Sequence, residues 1–298
     1  MPLEDYIIHV FCLIDDLYQD LLLSCKVRKS GYSPILADSE IISMLVIGEF
    51  LGSSDNKKIW LYFKSHYLAY FPTLDYVRYK IFNKQATCLW YVIRIIHSKL
   101  LTKIGEWNLY LADGIPFPIC HLARTNRSKL FKDKVARHYC AAKKEHYYGF
   151  KILLVTTESG IPIDYAIDAA NVDERILLTN TSIPANSTVI ADKGFISEEL
   201  ALSLQQQANI KLLTPKRKNM LQQIPGKLAH TITSIRKRIE TSISQLTEAF
   251  SINTTKARSF HGLLGRINRK ILSYTTALFF NYLLVKDQFT QLELLIQA

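Results

Sequence analysis

Asp113, Asp192 and Glu240 are the residues of this chain whose type and placement could do chemistry together. Asp113 follows the apolar run 108–112 (NLYLA), and Asp192 follows 187–191 (STVIA), so each closes a predicted strand. Glu240 falls near the middle of a long predicted helix, 231–250. Carboxylates from two strand ends and a helix are the oxygen donors that hard divalent cations such as Mg²⁺ require. Two such ions ~4 Å apart can activate an attacking oxygen and stabilise a leaving one in phosphoryl transfer. Without metal, three acids so placed repel one another, and partial protonation is expected. The pattern does not single these acids out, because Asp164, Asp168, Asp173 and Glu174 compete in the same region. Any one Asp at a strand end also reads as a turn or cap residue.

The elements that must position these acids fall into two parts. The first ~105 residues carry helical periodicity over 6–25, 40–51 (with Asp38 as N-cap), 57–70, 74–82 and 87–101. That region could include a helix-turn-helix or be an ordinary helical packing domain. From Asn108 the pattern changes to strands at 108–112, 149–156, 162–170, 187–191 and 210–213, the second and third forming a hairpin around Glu158-Ser159-Gly160. Predicted helices intervene at 173–181 and 197–207, the latter opened by Ser197. GIPFP at 114–118 reads as a turn. At 171–175 (NVDER), Asn171 reads as a cap with acids in the first turn; alternatively Asp173 or Arg175 supports the site. The expectation is an α/β fold, a mixed five-stranded sheet flanked by helices and preceded by an all-helical region.

The net charge of +11 is unevenly placed. Residues 1–110 hold 12 basic and 11 acidic side chains, whereas 124–151 hold nine against two, 211–240 eight against one, and 256–270 five against none. Clustered cations suit a polyanion, since each neutralised phosphate releases counterions; a solvated basic surface is the plainer alternative. Lys216, Arg217 and Lys218 follow the last strand and precede the Glu240 helix, which places them near the mouth of the site as phosphate contacts. Lys193, beside Asp192, either reaches a phosphate or is a surface lysine; Lys143, Lys144 and Lys151 are weaker candidates of the same kind. Five cysteines without CxxC spacing argue for free thiols in a reducing compartment, and Cys120, His121, His138 and Cys140 do not match structural zinc spacing. The apolar stretch 271–285 is short for a bilayer, the N-terminus is acidic where a signal peptide needs bases, and no GxGxxG or Walker sequence occurs. A cytoplasmic, nucleoid-associated protein without a nucleotide cofactor is expected.

Several stretches carry a resemblance. IDDLYQDL, DSEIISMLVIGEF, LADG, YGFKILLV, DAANVDERI, ADKGFISEEL, LLTPKRKNM and RKRIETSISQL occur in family order from about residue 6 to 284. In these the chain resembles bacterial insertion-sequence transposases of the DDE class, nearest to insertion-sequence group nine-eight-two. ADKGF and the Arg-x-x-x-Glu of Arg236–Glu240 are the specific pieces.

The resemblance implies an RNase H-like core in which Asp113, Asp192 and Glu240 hold two Mg²⁺ or Mn²⁺ ions. Asp113 would bridge both ions, with Asp192 and Glu240 completing one each. It implies Arg236, one turn before Glu240, as a DNA phosphate contact. Relatives often carry Tyr three residues before that Arg and Lys seven after the Glu; here Thr233 and Thr247 stand there. The 48-residue interval from Asp192 to Glu240 leaves no room for a large insertion domain. The implied function is cleavage of insertion-sequence ends and their joining to target DNA, with residues 1–105 binding DNA ends, 106–298 catalysing, and a homodimer pairing two ends. The alternatives are a metal-dependent nuclease without strand transfer and a catalytically inactive DNA-binding derivative.

Overall fold

The computed structural model describes residues 1–28, 30–31, 33–141, 144–215, 226–254, 256–284, 292 and 295, with the side chains of 226–229 excepted. The chain forms two compact units, one of residues 1–105 together with 248–298, the other of 106–247. The last long helix therefore belongs with the N-terminal helices.

The helical unit contains α1 (Leu3–Ser24), α2 (Asp38–Phe50), α3 (Asn56–His66), α4 (Tyr79–Cys88), α5 (Trp90–Ile104) and α9 (Phe260–Leu284). α1 buries Tyr6, Ile7, Val10, Ile14, Leu17, Tyr18 and Leu21, the spacing of one helical face. α2 is buried almost all round and packs against both α1 and α9, while α9 also packs along α5. Asp38 is not the cap of α2 but its first residue. Its buried carboxylate accepts from Tyr18 Oη at 2.8 Å and pairs with Arg28, so it ties α1 and the following loop to α2. The capping work falls to Glu40, which takes the Ala37 N–H at 2.7 Å.

The second unit is built on one mixed sheet. Its strands are β1 (Leu109–Cys120), β2 (Ala136–Cys140), β3 (Glu145–Thr157), β4 (Pro162–Ala169), β5 (Thr188–Ala191) and β6 (Lys211–Leu213). β1 lies between antiparallel β3 and parallel β5, and β6 adds parallel to β5. The other side of β3 is shared, with β2 on its first half and β4 on its second. Among the described residues the sheet thus has six strands where five were expected, the extra being β2. The two parallel steps need crossovers, and α6 (Glu174–Thr179) lies between β4 and β5, α7 (Glu198–Ala208) between β5 and β6. This is the RNase H-like arrangement.

Both faces of the sheet are covered, which is why β3 is buried without a break over residues 147–157. Tyr110, Ala112, Val189 and Ala191 point to one face, where Leu177 and Leu178 of α6 and Leu200 and Leu204 of α7 close the core. The alternate residues Leu111 and Ile190 face Ile232, Ile235, Ile239 and Ile243 of α8 (Gly226–Glu248), whose spacing of three and four makes one stripe.

GIPFP at 114–118 is strand rather than turn, in register with Gly149–Leu153 of β3. Proline is tolerated there because β5 pairs β1 only over Leu109–Ala112, so beyond Ala112 that side of β1 is an open edge among the described residues.

Candidate active site

Strand register brings the two aspartates together. Leu111 pairs with Ile190 and Ala112 with Ala191, so Asp113 and Asp192 are the next residues on neighbouring parallel strands. By alternation they share the face of Leu111 and Ile190, the face covered by α8. Asp113 is not at a strand end, since β1 runs on to Cys120, but it stands where its β5 neighbour stops.

α8 is held in place at the far side of the sheet. Arg238 Nε donates to Ser159 O at 2.9 Å, and Ser242 Oγ to Gly160 O at 2.8 Å, in the turn between β3 and β4. Gly160 has φ +85°, and a Cβ there would lie 2.5 Å from Ser242 Oγ, so both backbone and space call for glycine. This anchoring delivers Arg236, whose Nη1 donates to Asp192 Oδ1 at 2.9 Å. Its Nε is buried without a hydrogen-bond partner among the described residues. Glu240, one turn on, is exposed. Among the described residues, no three His, Cys, Asp or Glu side chains converge on a ready-made metal position.

The four competing acids separate by their contacts. Asp164 Oδ2 accepts Ser182 N–H at 2.8 Å, and Asp168 accepts the next backbone N–H at 2.7 Å. Asp173, rather than Asn171, caps α6 through Arg175 N–H and pairs with the Arg175 side chain. Glu174 is the one drawn into the site. A Cβ on Gly114 would lie 2.7 Å from its Oε1, and one on Gly194 3.6 Å from its Oε2. Its carboxylate therefore lies against the segments that carry both Asp113 and Asp192. Lys151, 6 % exposed, pairs with Glu174 at 3.4 Å and donates to Val172 O, so its ammonium is engaged inside the protein. The sequence signal for Glu174 was its place at the start of a helix following a strand, a signal that first-turn charge preference explained equally well.

The electrostatics match that geometry. The Asp113 carboxyl is pushed up to about 6 by burial, opposed by the Gly114 N–H and Arg236 and reinforced by Glu174 and Asp192. A half-buried acid beside two others is short of positive charge, and its oxygen donors are those a hard divalent cation takes. The residues thus fit such a cation by donor chemistry.

Of the other cations expected near the site, Lys193 and Lys144 are exposed. Lys143, Lys216, Arg217 and Lys218 lie outside the described residues. The third basic block is no surface for a polyanion throughout: Arg269 and Lys270 are 3 % and 1 % exposed and pair with Glu49 inside the helical unit.

An RNase H-like sheet carries paired aspartates on adjacent strands, with Glu174 of α6 against the segments of both, in a family of the polynucleotidyl transferase and nuclease class. The chain belongs to the family described as Transposase DDE domain, whose model matches residues 105–260, just over half its length. No curated protein and no solved structure matches the chain. DDE transposases generally use divalent metals and act on DNA. No helix among the described residues is long and apolar enough to cross a membrane.

Proposed function

We propose that this chain cuts insertion-sequence ends and joins them to target DNA, with Asp113, Asp192 and Glu240 as the catalytic acids. The observation that carries the reading is the adjacency of Asp113 and Asp192 under α8 in a chain of the DDE family. Bound at these acids, divalent cations supply Lewis-acid activation of the attacking oxygen and charge neutralisation at the leaving one. The chain's own contribution is position: two strands and one helix hold the carboxylates while cationic side chains orient the DNA backbone. Arg236 holds Asp192 in the DNA-free protein and passes to a phosphate when DNA arrives, and Lys193 and Lys144 extend that contact. The helical unit binds element ends, two copies pair two ends, and the work is done in the cytoplasm on nucleoid DNA.

The test is a strand-transfer assay with pre-cleaved end DNA and Mg²⁺. Joined products from the wild type, lost in Asp113→Asn and Asp192→Asn while end binding persists, are the expected result. Hydrolysis without joining would mean a nuclease. Variants as active as the wild type would remove these acids from the mechanism.

A further inference from the structure

Outside the acid cluster, the catalytic unit holds a cavity of about 670 Å³ lined by Leu122, Arg137, His138, Tyr139 and His146. Arg137, His138 and Tyr139 stand on β2, an outer strand of the sheet, and His146 opposes Tyr139 across the β2–β3 pair. The Tyr139 and His146 rings lie 5.0 Å apart, and Tyr139 is 47 % exposed. An aromatic pair offered to solvent costs apolar hydration that a monomer avoids, unless something flat covers it. The segment 124–151, from which all the lining residues but Leu122 come, carries nine basic side chains against two acidic ones. Arg137 spends one long contact, 3.4 Å, on Asn126, which leaves most of its guanidinium donors open. His138 is held below its usual range by burial and by Lys151, so it presents a neutral ring with one donor and one acceptor nitrogen.

We propose that this cavity receives one unpaired nucleotide of the DNA strand being processed, its base stacked on Tyr139 and His146 and its phosphate met by Arg137. Aromatic rings beside guanidinium groups are how proteins hold unpaired bases without regard to sequence. The proposal rests on the DNA-processing reading above. A nucleotide seated here is drawn out of the duplex well along the strand from the reacting phosphate, since His146 lies eight residues down β3 from Leu154, the partner of Asp113, and it fixes the register of the strand.

The test uses the full chain and fluorescence anisotropy with three labelled duplexes of one sequence. One is blunt, one carries a three-thymidine 3′ overhang, and one carries three abasic nucleotides in its place. The thymidine overhang should bind roughly tenfold more tightly than the other two, the size of one base–aromatic stack. Tyr139→Ala should abolish that preference while leaving blunt binding within twofold, and Tyr139→Phe should keep it. Equal binding of thymidine and abasic overhangs would reduce the cavity to a phosphate contact and overturn the proposal. So would a preference that survives Tyr139→Ala, or equal binding of overhang and blunt duplexes, with the DNA-processing reading intact. Failure to bind any of the three would remove that reading and this proposal with it.

Discussion

At the scale of single residues, the site is a contest between acids that repel and cations that restrain them. Asp113 has a folded-state pKa of about 6, above the ordinary carboxylate value, so its protonated form is favoured by folding. Its contribution to stability is full at pH below about 4 and is lost as pH rises through about 6. In the metal-free protein, Asp113→Asn should therefore raise the melting temperature at pH 8, by an effect on the order of 3 kcal/mol, and change little at pH 4. Thermal scans at the two pH values check this; an equal shift at both would show that burial does not set the Asp113 pKa. Arg236 is the counterweight on Asp192. Arg236→Gln takes a positive charge from the place a divalent cation would occupy, so metal-free protein should bind Mn²⁺ several-fold more tightly while DNA binding weakens. Calorimetric Mn²⁺ titration without DNA separates this from a purely structural role, in which Mn²⁺ affinity would fall or stay unchanged.

At the scale of elements, what could be read from sequence depended on whether one stretch held the whole signal. The apolar runs that lead into Asp113 and Asp192, the β3–β4 hairpin and the α8 stripe are local patterns, and all five expected strands are present. GIPFP was misread because two prolines and a glycine signal a turn locally, whereas the open edge that tolerates them exists only once β5 has stopped short. β2 escaped notice since ARHYC shows no apolar alternation; it owes its existence to pairing with β3. Glu174 was visible only as one acid among several, because its approach to Gly114 and Gly194 comes from the crossover of α6 over the sheet. That approach yields a prediction for the α6–β1 contact. In Gly114→Ala the new methyl takes the space of the Glu174 carboxylate, the mobile end of a side chain, so stability should change by less than about 1 kcal/mol. Displacement beside Asp113 should nevertheless lower strand transfer, by up to ~10²-fold. A variant with unaltered transfer and an unaltered melting curve would show that Glu174 does not constrain the site.

At the scale of the whole molecule, the chain leaves the helical unit at Gly105 and returns to it at Glu248, having built the sheet unit between. Sequence pattern alone suggests one boundary near 105 with the second part running to the C-terminus, for nothing local in 260–284 says which core it completes. The decisive residues are buried and charged. Glu49 of α2 pairs with Arg269 and Lys270 of α9, and Lys270 Nζ also donates to Ser54 Oγ and to Phe250 O, both at 2.6 Å. Burial drives the Lys270 amine below its ordinary range and Glu49 works against that shift. These contacts tie α9 to α2 across more than 200 residues of sequence, a pairing that no periodicity reports. Glu49→Gln keeps the shape and removes the charge, leaving two buried cations without a counterion. The expected cost is about 3–5 kcal/mol, borne by the helical unit. Hydrogen exchange measures where the loss falls: protection should drop in α2, α5 and α9, while β1 and β3 keep theirs because their core lies within 106–247. Equal loss in both units would mean that they fold as one, and no loss in α9 would mean that Glu49 is dispensable to it.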